Sequence, residues 1–168
     1  MKGNNEMKIA MQKITPHLCF DHQAEEAVNE YVSIFNNSRI INITRYAEGP
    51  GEYAGTVRTI RFQLDGQELI AVNGGPSFQF SDGISLYVSC ETQEEIDRLW
   101  ERLSEGGTKE VCGWLKDKYG VCWQIAPTIA WEMVNDPDPN KAQRVADAID
   151  RMTKIEIGQL IQAYNGAQ

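Results

Sequence analysis

The sequence predicts an α+β fold. Two β-α-β-β-β modules pair into a cupped, incomplete-barrel mixed sheet, and C-terminal helices follow. Three observations carry this expectation. An order of strand, helix and three strands runs from Ile14 to Asn73 and starts again at Ile84. The two runs agree in register: shifted by 70, Ile14 falls on Ile84, Thr15 on Ser85, Leu18 on Val88, Asp21 on Glu91 and Glu25 on Glu95. Beyond Pro127 the pattern changes to helical spacing. One such module leaves a sheet face bare, whereas two paired modules cover it and enclose a cavity.

Each element follows from local pattern. Ile14–Phe20 reads as a strand, and Gln23–Phe35 as a helix with Ala24, Ala27, Val28, Tyr31 and Phe35 on one face. Asp21 is the candidate N-cap, and Asn36-Asn37-Ser38 ends the helix. Arg39–Tyr46 is a strand, and Ala47–Gly55 is a Gly-rich loop. Thr56–Leu64 and Gln67–Asn73 form a hairpin around Asp65-Gly66, a dipeptide suited to positive φ at both turn positions. In the second run Ile84–Cys90 is a strand. Thr92 with Glu95 makes a capping box, Ile96, Leu99, Trp100 and Leu103 line the helix, and Gly106-Gly107 stops it. Short strands follow at 109–112, 114–117 and 121–126, with Tyr119-Gly120 in the hairpin place of Asp65-Gly66.

In the tail, Asp138 and Pro139 open a helix whose apolar stripe is Ala142, Val145, Ala146, Ile149 and Met152. A second helix spans about Ile155–Tyr164, with Ile157, Leu160, Ile161 and Tyr164 on a face. These helices are expected to cap the protein's own sheet, a partner contact being the alternative. The organisation is therefore a flexible leader (1–13), a two-module domain (14–128, modules about 14–77 and 83–128) and a helical extension (129–168).

Composition excludes several function classes. Of 168 residues, 16 are Lys or Arg and 24 Asp or Glu, a net charge of −8, and no basic cluster offers a nucleic acid or an anionic membrane its electrostatic footprint. No apolar run approaches a membrane span, and the start has no secretory h-region. Cys19, Cys90, Cys112 and Cys122 contain no C-x-x-C pair. They read as reduced thiols beside apolar strands, which points to the cytoplasm.

The strings ITPHLCFDHQAEEAVNEYVSIFNNSRI from Ile14, LDGQELIAVNGGPSFQF at 64–80, CGWLKDKYGVCWQIAP at 112–127 and DPDPNKAQRVADAIDRMTKIEI at 136–157 resemble the PhnB-like branch of the vicinal oxygen chelate superfamily. That branch, labelled 3-demethylubiquinone-9 3-methyltransferase-like, belongs with glyoxalase I, bleomycin-resistance proteins and extradiol dioxygenases. The similarity runs from Ile14 to about Tyr164 and makes 14–128 a glyoxalase/bleomycin-resistance-like domain. It implies a homodimer, and a divalent metal held by His, Glu or Gln from the first and last strands of each module.

Carried onto this chain, the four ligand places read His17, Ile70, Tyr87 and Gln124. Glu68 is two residues before Ile70, on the same strand face, and is a substitute. A metal, if one binds, would take His17, Glu68 and Gln124. One imidazole and one amide make a thin ligand set, so no cofactor is expected, although a divalent metal remains possible. Cys19 shares a strand face with His17, but parallel side chains on one strand make a poor nucleophile–base pair.

The methyltransferase label implies an S-adenosylmethionine cradle, a Gly-rich turn that opens a helix. Gly49–Gly55 supplies glycines, but a strand follows, so conventional methyl transfer is not expected. The chain is expected to bind a small organic molecule between the modules through His17, Asn73, Tyr87, Trp114 and Gln124. Two readings follow: a metal-free binding protein, which the thin ligand set favours, and a metal-dependent enzyme of glyoxalase or dioxygenase type. Whether catalysis occurs stays open at this stage.

Overall fold

Alternation of apolar and polar residues along the strands gives each sheet one face that needs a helix against it, and the helices that follow the strands His17–Phe20 and Leu86–Cys90 supply this cover. The computed structural model describes residues 12–50 and 53–166. The leader expected at 1–13 lies almost wholly outside the described residues, as do two residues of the 47–55 loop. The chain divides into two compact units, Met1–Ser77 and Phe78–Gln168.

The first unit contains β1 (His17–Phe20), α1 (Ala24–Ile34), β2 (Arg39–Arg45), β3 (Val57–Leu64) and β4 (Gln67–Asn73). Its sheet order is β1-β4-β3-β2, with β1 parallel to β4 and the other pairs antiparallel. Helix α1 buries Ala24, Ala27, Val28, Tyr31 and Ile34 against the face bearing Phe20, Ile60, Phe62, Leu69 and Ala71. Asp65 and Gly66 both have positive φ, 42° and 85°, which the tight hairpin requires.

The N-terminus of α1 departs from expectation. Asp21 does not cap it; Gln23 is the N-cap residue and makes no side-chain cap bond. Instead Asn73 Oδ1, from the end of β4, accepts the Ala24 N–H at 2.9 Å, while its Nδ2 donates to Val57 O at 3.3 Å. A tertiary contact thus does the work that a local cap does elsewhere.

The second unit repeats the plan with β5 (Leu86–Cys90), α2 (Gln93–Ser104), β6 (Thr108–Lys109), β7 (Trp114–Lys116) and β8 (Cys122–Pro127). The sheet order is β5-β8-β7-β6, with β5 parallel to β8. Thr92 Oγ1 accepts the Glu95 N–H at 3.2 Å, and Glu95 reaches back to the Glu91 N–H at 3.0 Å. The amphipathic face of α2 buries Ile96, Leu99, Trp100 and Leu103.

The β7–β8 turn differs from a two-residue hairpin. Asp117 N–H donates to Val121 O, and Gly120 N–H to Asp117 O, so residues 118–120 form the loop with Gly120 at φ 89°. The buried Asp117 carboxylate accepts from Tyr119 N–H (2.9 Å), Val121 N–H (2.9 Å) and Trp123 Nε1 (2.8 Å). This knot joins the turn to the largest side chain of the core.

Three helices complete the unit: α3 (Thr128–Val134), α4 (Pro139–Arg151) and α5 (Ile157–Asn165). Asp138 caps α4 through the Asn140 N–H at 2.9 Å, with Pro139 in the first turn, as the sequence predicts. Helix α3 is not anticipated: seven residues are too few to show a period, and Ile129 and Trp131 face outward. The tail buries Ala130, Met133, Val145, Ala148, Met152, Ile155 and Leu160 on one another, so it carries its own core rather than only capping a sheet. On α4 the fully buried residues are Val145 and Ala148; the expected Ala146 is only partly covered. Backbone bonds from Cys112 N–H to Met152 O and Gly113 N–H to Thr153 O fasten the tail, and Gln93 accepts the Ile157 N–H at 2.8 Å.

The architecture is α+β: two four-stranded mixed sheets with helices and no closed barrel. Among the described residues no helix is long and apolar enough to cross a membrane. All four cysteines are free; Cys90 and Cys122 are buried, whereas Cys19 and Cys112 are half-buried.

Candidate functional site

Period-two alternation that buries one sheet face sends the remaining side chains to the other. In the first unit the register aligns His17 with Ile70, Ile70 with Arg61, and Arg61 with Asn42 in one row across four strands. A second row holds Cys19, Val72, Thr59 and Thr44. In the second unit the corresponding row is Tyr87, Gln124 and Trp114. The places reached by shifts of 70 and 54 residues are therefore paired neighbours in both sheets: His17 opposite Ile70, and Tyr87 opposite Gln124.

Three residues expected to contact a ligand, Tyr87, Trp114 and Gln124, thus stand side by side on adjacent strands. His17 occupies the matching row of the other unit and is exposed. Asn73 does not join these rows. It pairs with Phe20, on the helix-covered face, and its amide is engaged by Ala24 and Val57.

The donor set does not suit a divalent cation. Of the four register positions, one is an imidazole, one a neutral amide, one a phenol and one a hydrocarbon. The substitute, Glu68, is held by the Arg61 guanidinium through contacts of 2.7, 3.0 and 3.1 Å, with both side chains less than a fifth exposed. Taking Glu68 as a ligand would strand Arg61 half-buried without its counter-ion. Burial pushes the Tyr87 phenol above its ordinary value, so Tyr87 presents a hydroxyl at neutral pH. Among the described residues no three His, Cys, Asp or Glu side chains gather in a metal-ligating group. Beside the first of these rows, Cys19 Sγ lies 3.5 Å from His17 Nδ1, closer than parallel side chains on one strand predict.

An S-adenosylmethionine cradle also fails to fit. The 47–55 loop connects two antiparallel strands, β2 and β3, and no helix begins at its end. Around it the Tyr46 and Tyr53 rings lie 5.8 Å apart, and the Arg58 guanidinium sits 5.8 Å from the Tyr46 ring centre.

Next to the Tyr87 row is a cavity of about 470 Å³ lined by Tyr87, Ser89, Thr128, Trp131 and Glu132. Ser89 follows Tyr87 on the same face of β5. Thr128, Trp131 and Glu132 come from α3. Sequence reasoning singles out only Tyr87 of the five. The available signal was Trp131 itself, a large aromatic in a short segment between a strand end and the Asp136-Pro137 turn.

The model of the 3-demethylubiquinone-9 3-methyltransferase family matches residues 12–126. It stops short of the tail, to which the quoted similarity extends. Among solved structures the PhnB protein from Bacillus cereus is 43% identical, with a TM-score of 0.65; the match covers 70% of this chain and all of that one. A protein from Pseudomonas aeruginosa is 20% identical with a TM-score of 0.57 over 70% of this chain and 98% of its own, a likeness of fold. A search of curated proteins finds no match. With the repeated topology, the family model and the Bacillus relative in agreement, the chain belongs to the PhnB-like, 3-demethylubiquinone-9 3-methyltransferase family.

Proposed function

We propose that this chain is a small-molecule-binding protein of the PhnB-like family that grips an organic guest by stacking and hydrogen bonds rather than through a metal. The observation that carries the reading is the row of Tyr87, Gln124 and Trp114 with an adjoining cavity of about 470 Å³. Two aromatic surfaces and one amide beside a hollow of that size are the ingredients of an organic ligand site. The amide both donates and accepts, and so orients a polar group without demanding a charge.

Methyl transfer from S-adenosylmethionine is not part of this reading, because the glycine-rich loop at 47–55 leads into β3 rather than into a helix. We place the protein in the cytoplasm as a homodimer. Support for a second copy comes from the family likeness and from exposed apolar side chains on the second unit, among them Phe78, Ile84 and Val111.

The test is a fragment screen followed by amide and indole NMR shifts. Shifts should centre on Tyr87, Trp114 and Gln124. No fragment binding at about 1 mM, or shifts confined elsewhere, would overturn the reading. A stoichiometric divalent metal in the purified protein, lost in His17→Ala, would favour the metal-dependent enzyme instead. Tight S-adenosylmethionine binding by calorimetry would restore the methyltransferase reading. Light scattering should give about twice the 19.0 kDa chain mass, and a particle of one chain mass at micromolar concentration would remove the dimer.

A further inference from the structure

We infer that the cavity between β5 and α3 selects a planar organic cation, an inference that rests on the small-molecule reading above and names the class of its guest. The wall added by α3 is the starting point. Thr128, Trp131 and Glu132 come from α3 in the tail, beyond the residues 12–126 that the family model matches.

The chemistry of the lining has one sign. Tyr87 and Trp131 offer ring faces, which carry negative quadrupole potential and attract a cation. Trp131 is 70% exposed, which leaves a large aromatic surface uncovered at the cavity. Glu132 brings a carboxylate to the rim. The Thr128 hydroxyl donates its only proton to Glu91 Oε1 at 2.9 Å, leaving its lone pairs as acceptors. Glu91 thereby stands as a second carboxylate behind the wall. Among the described residues no Lys, Arg or His lines the cavity. A guest with a delocalised positive charge meets two ring faces, one carboxylate and a hydroxyl acceptor. An anion of the same shape meets repulsion from Glu132, with Glu91 adding to it.

The flatness of the guest follows from the wall materials. Indole and phenol rings gain most from a ring laid against them, and a planar heteroaromatic or guanidinium-type cation does this with little loss of internal freedom. A compact ammonium has the charge but not the contact area.

The experiment compares two probes of nearly equal shape, N-methylquinolinium and 2-naphthoate, by titration calorimetry on the full chain. The cation should bind at least tenfold more tightly than the anion. Trp131→Ala should weaken cation binding about tenfold and Trp131→Phe much less, whereas Glu132→Gln should weaken it about fivefold and leave 2-naphthoate unchanged or improved. Both positions are exposed, so these variants are expected to fold, and an unchanged melting temperature will verify it. If 2-naphthoate binds as well as the cation and loses affinity in Tyr87→Ala, the charge selectivity is wrong while the small-molecule reading stands. If cation affinity ignores both Trp131→Ala and Glu132→Gln, the α3 wall is not the site. If neither probe nor any fragment binds near Tyr87, both readings fall together.

Discussion

The two units are a natural experiment in which one topology is built twice from different residues. Their sheets share strand order, and equivalent positions pair in equivalent register. The helix-covered faces agree in kind: Phe20 and Cys90, Leu69 and Trp123, Ala71 and Ile125 are apolar at matched places. The opposite faces agree in nothing. His17, Ile70, Arg61 and Glu68 in one unit stand where Tyr87, Gln124, Trp114 and Cys122 stand in the other. The lesson is that the buried face holds the module together, while the other face is free to carry different chemistry without loss of the scaffold.

The sharpest contrast between the units is in their hairpins. The first turns on backbone preference alone, with Asp65 and Gly66 at positive φ. The second turns on a buried carboxylate that binds two backbone N–H groups and the Trp123 indole. Asp117→Ala should therefore cost about 3 kcal/mol or more, because three buried donors lose their acceptor at once. Asp65→Asn should stay within about 0.5 kcal/mol, since Asn tolerates the left-handed region and the site is exposed. Urea unfolding of the two variants measures this directly. Similar midpoints would mean that the carboxylate knot is ornamental.

The helix exits offer the next contrast. Helix α1 leaves through Asn36-Asn37-Ser38, where Ser38 Oγ accepts the Asp65 N–H at 3.0 Å, whereas α2 leaves through Gly107, pressed onto β7. A Cβ at Gly107 would sit 2.1 Å from Lys116 O and 2.9 Å from Asp117 backbone, so Gly107→Ala should destabilise by about 2–3 kcal/mol. Gly66→Ala, at φ 85° but with no atom nearer than 3.6 Å, should cost about 1–2 kcal/mol from backbone strain alone. Thermal melts that rank them the other way would show that strain, not crowding, governs these turns.

What could be read from residues alone follows the same division. The repeated element order, the Asp65-Gly66 turn, the Thr92 and Asp138 caps and the row partners of the 70- and 54-residue shifts were all legible, because each depends on local pattern or on strict period-two register. Asn73 is a tertiary cap on α1, and no local signal marks an acceptor supplied 49 residues away. Asp117 was passed over because a buried carboxylate looks like any turn Asp until its partners are known. Helix α3 was missed for want of length, and with it the wall that Trp131 and Glu132 give the cavity.

The polar faces invite a subtler test. The first unit carries a half-buried ion pair, Arg61 with Glu68, where the second has Trp114 and Cys122. Glu68→Gln should cost about 1–2 kcal/mol, mostly from leaving a guanidinium poorly paired. The double change Arg61→Met with Glu68→Leu should recover most of that loss, since neither charge is then left alone. A double variant as unstable as the single one would show that the pair has a positive value of its own rather than merely avoiding a stranded charge.

The smallest expected effect separates the units by pH. Cys90 closes β5 where Phe20 closes β1, and both are buried under their helices. Burial is the main force that pushes the Cys90 thiol up to about 12, and Glu95 adds to it. An ordinary thiol in the unfolded chain ionises from about pH 8.5 upward. The folded thiol stays neutral in that window, so its contribution to stability is complete below the unfolded value and declines as pH rises toward 12. By pH 10 the loss should be about 1–2 kcal/mol. Phe20 has nothing to titrate, so the effect belongs to the second unit. Cys90→Ala lowers stability at every pH by opening a small cavity, yet its stability should fall less steeply than the wild type's between pH 9 and 11. Parallel slopes for the two proteins would place the alkaline sensitivity on other groups and leave Cys90 and Phe20 electrostatically equivalent.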